Sequence, residues 1–145
     1  MRAVALDPAL LHLISAHQLG VLVTLKRDGR AQLSNVTYGW DAGTSTISVS
    51  VTDPRAKTRN LRRDPRVSLH VSTPDGSAYA VAEGGAQLTA VAAVPQDEAV
   101  EALVALYRAV QGEHPDWDEY RAAMVADRRL VVSFAVEHVY GWAQG

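Results

Sequence analysis

Val21-Leu22-Val23-Thr24-Leu25-Lys26-Arg27-Asp28-Gly29-Arg30-Ala31-Gln32-Leu33-Ser34-Asn35-Val36 is the stretch that decides the fold class. A short β-branched run leads into Asp28-Gly29, a dipeptide favoured in tight hairpin turns. The return strand reads across residues 30–40. Its period of two puts Gln32, Ser34, Val36, Tyr38 and Trp40 on one face and Ala31, Leu33, Asn35 and Thr37 on the other. A turn at Asp41-Ala42-Gly43 leads to a third strand. There Ile47, Val49 and Val51 alternate with Ser48, Ser50 and Thr52, the pattern of a half-buried strand.

Outward from this meander the punctuation continues. Asp7-Pro8 predicts a helix start, with Leu10, Leu11, Leu13 and Ile14 as its apolar stripe. Asp53-Pro54 repeats the signal and predicts a short helix over residues 54–63, stopped by Asp64-Pro65. Val67, Leu69 and Val71 mark another strand. A long strand over residues 78–90 is interrupted by Gly84-Gly85, read as a bulge or bend. Pro95-Gln96-Asp97-Glu98 and Pro115-Asp116 open two helices, and Leu130, Val132, Phe134 and Val136 form a last strand. Asp116, Asp118 and Glu119 read as helix-start carboxylates rather than a catalytic pair. Tight turns, not helical crossovers, join the strands, so the expected fold is a mainly antiparallel β-barrel with peripheral helices. Closing the sheet would remove its exposed edges.

The 145 residues are expected to make a single domain, residues 1–145. Apolar residues are 48% and charged residues 21%, which excludes a disordered or collagen-like chain. There are no cysteines, so thiolate metal sites and catalytic thiols are excluded. The formal net charge of −2 argues against a general nucleic-acid binder. No apolar run approaches about 18 residues, so no membrane span is expected. Residues 1–8 lack the apolar core of a signal peptide, and a cytoplasmic location is expected. His12, His17, His70, His114 and His138 show no metal-ligand spacing, and no metal site is expected.

The chemistry concentrates in Ser50-Val51-Thr52-Asp53-Pro54-Arg55-Ala56-Lys57-Thr58-Arg59-Asn60-Leu61-Arg62-Arg63-Asp64-Pro65-Arg66. Six of the chain's fourteen positive charges lie between residues 55 and 66. A helix N-terminus presents unpaired N–H groups and a partial positive charge. Arg55, Lys57 and Thr58 in that first turn add a fork, a point charge and a hydroxyl, a set suited to phosphate. Lys57 shares a helical face with Leu61 and is therefore expected to turn inward. The competing reading is a solvated basic face. Gln32 and Ser34 on one strand and Ser48 and Ser50 on the next form a polar face able to meet a flat heterocycle, or simply water. Asn35 would reach the same ligand near a twist. Tyr38 and Trp40 point to burial, with a second subunit as one candidate cover. The aromatic ending His138-Val139-Tyr140-Gly141-Trp142 reads as core or interface. No side chain stands out as catalytic.

Taken together, these segments resemble the split β-barrel, pyridoxamine-5′-phosphate-oxidase-like flavoproteins, and most closely their actinobacterial branch that uses the deazaflavin coenzyme F420. The resemblance is carried by Gly20-Val21-Leu22-Val23-Thr24, Asp28 to Val36, Pro54 to Arg66, Tyr79-Ala80-Val81-Ala82-Glu83-Gly84, Asp127-Arg128-Arg129 and His138-Val139-Tyr140-Gly141. It implies a homodimer with cofactor sites at the subunit interface. By that likeness Arg55, Lys57 and Thr58 hold the cofactor phosphate. Gln32, Ser34, Asn35 and Ser50 line its ring and chain, Asn60 and Tyr79 lie near, and Arg129 reaches in from the partner. The implied activity is an F420-dependent reduction of an unsaturated or carbonyl small molecule. Arg59, Arg62, Arg63 and Arg66 would suit the cofactor's carboxylate-rich tail. An FMN-dependent oxidase-like enzyme is the alternative, as is a non-catalytic carrier of F420 or a tetrapyrrole. The ending Tyr140-Gly141-Trp142-Ala143-Gln144-Gly145 lacks the arginines with which pyridoxamine-phosphate oxidases hold substrate, which argues against vitamin B6 oxidation.

Overall fold

The computed structural model describes residues 5–144. Positions 1–4, on which part of the signal-peptide expectation rests, lie outside the described residues. Helix α1 (Pro8–Ser15) starts as read, with Asp7 accepting from the Ala9 N–H. Strands β1 (Leu19–Leu25) and β2 (Ala31–Thr37) form the hairpin, with Gly29 at φ 85° and Leu25 opposite Ala31. β3 (Gly39–Asp41) and β4 (Thr46–Thr52) follow, then α2 (Ala56–Arg63). β5 (Arg66–Ser72), β6 (Tyr79–Gly85) and β7 (Gln87–Leu88) precede α3 (Glu98–Gln111) and α4 (Trp117–Ala126). β8 (Arg129–Ala135) and β9 (His138–Trp142) end the chain. Among the described residues no helix is long and apolar enough to cross a membrane.

Two antiparallel sheets result, one ordered β2-β1-β5-β6-β9 and the other β3-β4-β8-β7. Both long predicted strands cross between them. Residues 30–40 leave the first sheet at Tyr38, and β3 pairs with β4 in the second. Residues 78–90 leave it after Gly85, and β7 pairs with β8. Gly84 sits at the second crossing because a Cβ there would strike the Ala135 carbonyl oxygen. Tyr38 is not an interface residue. It is 1% exposed, and its hydroxyl donates to the Ile14 carbonyl at 2.6 Å. Its burial therefore lies in its own core, pinning α1 at the first corner. The aromatic ending is a strand that the sequence reading did not assign: β9 pairs with β6.

The expected closure of the sheet is incomplete. Among the described residues, β2 has a ladder partner only in β1, and β3 reaches only Thr46 to Ser48 of β4. The barrel is therefore split between β2 and the second half of β4. Its interior is filled by Leu22, Leu69, Ile47, Val49, Leu130 and Phe134, capped by Leu10, Leu13 and Ile14 of α1. Each such side chain contributes about 1.5–3 kcal/mol by leaving water. A second core lies on the other face of the β8 sheet. There Val100, Leu103 and Val104 of α3 and Tyr120 and Met124 of α4 pack against Val131. Both helices start within the segments read as their openings, and each is capped by an aspartate: Asp97 accepts from Val100 N–H and Asp116 from Glu119 N–H.

Helix α2 begins two residues later than expected. Asp53 does not cap it; its carboxylate takes Arg62 at 2.6 Å and Arg128 at 2.7 Å. Arg55 stands at the N-cap position and supplies no side-chain hydrogen bond. An arginine has no acceptor to offer a helix N–H, so the first turn is left uncapped.

Candidate functional site

The split in the barrel is where the polar residues gather. Ser34 and Asn35 come from the unpaired edge of β2. Ser50 and Thr52 come from the stretch of β4 beyond its pairing with β3. An edge strand keeps ladder N–H and C=O groups available to a ligand. The N-terminus of α2 points into the gap, with Arg55 and Lys57 on it. A cavity of about 340 Å³ is lined by Ser34, Asn35, Ser50, Thr52, Arg55, Lys57 and Arg129. It adjoins a second of about 430 Å³ that shares Asn35, Ser50, Lys57 and Arg129.

The cleft is cationic because the neighbouring basic residues are neutralised elsewhere. Arg62 is paired with Asp53 and Arg66 with Asp64. Arg63 donates to the Leu25 carbonyl and to Asn60 Oδ1. This corrects the expectation that Arg62, Arg63 and Arg66 serve a ligand tail. The side chains of Arg55 and Lys57 have no hydrogen-bond or ion-pair partner among the described residues. Burial pushes the Lys57 ammonium below the ordinary lysine value, and Arg55 and Arg129 push it the same way. A half-buried lysine crowded by two guanidiniums at an uncapped helix start fits an anion that supplies the missing negative charge.

Of the ten expected site residues, six converge: Ser34, Asn35, Ser50, Arg55, Lys57 and Arg129. Arg129 lines the cleft of its own chain, donating to Ser50 Oγ at 3.2 Å, in place of the expected reach from a partner. Ser34 and Ser50 belong to different sheets, not to neighbouring strands, and line the same cavity across the gap. Thr58 is fully buried, and its hydroxyl donates to the Thr52 carbonyl at 2.7 Å, so only its backbone N–H remains for a ligand. Gln32 and Asn60 meet through Thr24: Asn60 Nδ2 donates to Thr24 Oγ1, and Thr24 Oγ1 donates to Gln32 Oε1. That buried chain fastens α2 to the hairpin. Tyr79 lies on the outer face of the five-stranded sheet, stacked on His70 with centroids 5.7 Å apart.

The sequence reading missed the far wall. Leu106, Tyr107 and Val110 of α3 and Tyr120 and Met124 of α4 line the larger cavity. The two helices that carry them are read from their start signals, but helical period alone does not say what a helix face covers. Among the described residues no group of three or more His, Asp or Glu side chains could hold a metal ion.

Comparisons with known proteins agree with this architecture. A conserved hypothetical protein of Mycobacterium tuberculosis, Rv2991, superposes with TM-score 0.71 at 21% identity, covering 98% of this chain and 88% of that one. An F420 reductase superposes with TM-score 0.68 at 19% identity, covering 93% and 98%. A heme binding protein from Mycobacterium smegmatis gives TM-score 0.65 at 23% identity, covering 96% of this chain and 55% of that one. At these identities the likeness establishes the split-barrel fold. The sequence itself matches the family described as pyridoxamine 5′-phosphate oxidase over residues 6–143. With that match spanning nearly its whole length, the chain belongs to the pyridoxamine 5′-phosphate oxidase family of split β-barrels.

Proposed function

We propose that this protein binds the deazaflavin coenzyme F420 and reduces an unsaturated or carbonyl small molecule with it. The observation that carries the reading is Lys57, half-buried between Arg55 and Arg129 with no acidic partner among the described residues. That trio and the open N–H groups of α2 hold the phosphate. Ser34, Asn35 and Ser50, with the free edges of β2 and β4, offer donors and acceptors to a polar ring edge. When bound, the reduced cofactor supplies a hydride, and water supplies the proton that completes the acceptor's reduction. The chain's own task is to orient the two and to exclude water from the ring. F420 is favoured over FMN by a further basic hollow lined by Arg27, Arg59, Arg62 and Arg63, on the flank of α2. Arg27 and Arg59 there suit a carboxylate-rich tail.

A homodimer belongs to the same proposal. Five large apolar side chains share the outer face of the five-stranded sheet: Leu19, Leu33, Tyr79, Tyr140 and Trp142. Leu19 is 71% and Leu33 61% exposed. A second copy covering this face would remove an apolar patch that a monomer rarely leaves in water.

Fluorescence titration with F420 and, separately, FMN tests the reading. Tight F420 binding, weakened by salt and by Lys57→Ala, with weaker FMN binding is the expected result. FMN preference would assign the cleft to a flavin, and binding of neither would overturn the phosphate site.

A further inference from the structure

The β4–β8 ladder ends with Thr52 opposite Arg129. One residue further out, Asp53 and Arg128 meet across the two strands, and the Asp53 N–H donates to the Arg128 carbonyl at 3.0 Å. Arg128 follows Asp127, the C-cap of α4, and its φ is 52°. Glycine fills such a left-handed position after a helix at least cost. Here an arginine takes it, and its guanidinium closes on Asp53 Oδ2 at 2.7 Å. Asp53 Oδ1 takes Arg62, on the second turn of α2, at 2.6 Å. One carboxylate, its side chain 17% exposed, thus ties the end of β4 to α2 and to the turn that delivers Arg129.

Ion pairs near the surface add little to stability. This pair fixes geometry instead. Arg129 directly follows the turn, so the direction in which the chain leaves Arg128 sets where its guanidinium goes. That guanidinium reaches Ser50 Oγ at 3.2 Å and lines the cationic cavity with Arg55 and Lys57. Both of those stand at the start of α2, the other element that Asp53 holds. We infer that Asp53 is a positioning residue of the cleft, which through Arg128 sets the Arg129 guanidinium beside Lys57. Its consequence for ligand binding rests on the reading of Arg55, Lys57 and Arg129 as the phosphate site.

Lys57 is the reporter. The chain has two lysines, Lys26 and Lys57, so ¹³C-lysine labelling gives two side-chain signals whose pH titrations are read separately. Burial and the charges of Arg55 and Arg129 hold the Lys57 ammonium below the ordinary lysine value. Arg129→Ala removes one of those charges and should raise it. Asp53→Ala should raise it too, with Lys26 unmoved. Direct electrostatics has the opposite sign, since losing a carboxylate and baring two guanidiniums lowers an ammonium's proton affinity. In the Arg129→Ala background, Asp53→Ala should add no further rise. A merely structural role, in which α2 loosens and water reaches Lys57, would raise it in both backgrounds. If Asp53→Ala does not fold, Arg128→Gly cuts the same tie, spares the Asp53–Arg62 pair and suits the left-handed turn; the same rise is expected. No rise, or a rise undiminished in the Arg129→Ala background, overturns the inference. F420 titrated into the same samples separates the two claims. Asp53→Ala should weaken F420 binding about tenfold, and Arg129→Ala with Asp53→Ala no more than Arg129→Ala alone. Wild-type F420 binding with Lys57 unmoved by Asp53→Ala removes the positioning role and leaves the phosphate reading intact. The expected Lys57 shifts without F420 or FMN binding support the positioning role and remove the cofactor reading.

Discussion

The guanidinium of Arg129 donates to the hydroxyl of Ser50 at 3.2 Å, reaching along the β4–β8 ladder of one chain. The register places Arg129 opposite Thr52, two residues beyond Ser50. The side chain therefore runs back along its neighbour strand into the split. It is pre-set beside Lys57, before any partner subunit is considered, at the place where an anion would sit.

Arg129→Ala should weaken F420 binding by about tenfold or more, the loss of one charge-assisted contact. Ser50→Ala should cost less, because Arg129 still reaches the Ser50 carbonyl at 3.5 Å. Fluorescence titration of both variants checks the order. Equal losses would mean that the hydroxyl itself, not the arginine it orients, meets the ligand.

Thr24 is fully buried and joins Asn60 on α2 to Gln32 on β2. Thr24→Val keeps the shape but leaves the Asn60 amide without its acceptor. The expected cost is about 1–3 kcal/mol. Urea unfolding should show a lower midpoint with an unchanged slope. Because the chain holds α2 against the hairpin, F420 affinity should fall with stability, unlike in Arg129→Ala.

How much of this was legible follows from which forces act locally. The Asp28-Gly29 hairpin, the Asp97 and Asp116 caps and the alternation of Ile47, Val49 and Val51 are local, and the sequence carries them plainly. The crossing of residues 30–40 from one sheet to the other is not local. Tyr38 turns inward to bond Ile14, and nothing in the alternation around it marks that contact. The basic run marks the proposed anion site, but which of its arginines stay available depends on Asp53 and Asp64, whose partners only the fold reveals. The same holds for Gln32, Thr58 and Asn60, chosen as ligand contacts. Their polar groups are consumed in holding α2, a use that residue type cannot distinguish from binding.

Two glycines on the β strands should respond in opposite ways to alanine. At Gly84 a Cβ meets the Ala135 carbonyl oxygen, which belongs to a paired strand and cannot yield. Gly84→Ala should destabilise by about 1–3 kcal/mol or more. At Gly39 a Cβ meets Leu106 Cδ1 at 2.7 Å, the tip of a side chain that can rotate. Gly39→Ala should leave the thermal midpoint within about 4 °C of wild type while moving Leu106, which lines the larger cavity. Paired thermal melts decide this, and equal loss at both positions would show that α3 is held rigidly on β3.

Lys57 makes the site pH-sensitive in a direction that can be worked out. Burial, Arg55 and Arg129 lower its proton affinity below the ordinary value of 10.5. Between the depressed folded value and 10.5 the unfolded chain holds more protons than the folded one. Stability of the ligand-free protein from this residue therefore rises with pH across that window. Anion binding has the opposite sign. A bound phosphate favours the charged ammonium, so F420 affinity should fall as pH climbs through the same window, and binding within it should take up protons. Calorimetric titrations in buffers of different ionisation enthalpy measure that uptake. Lys57→Met should abolish both slopes together. If the variant kept the alkaline loss of affinity, the titrating group would lie elsewhere and Lys57 would not be the anion's partner.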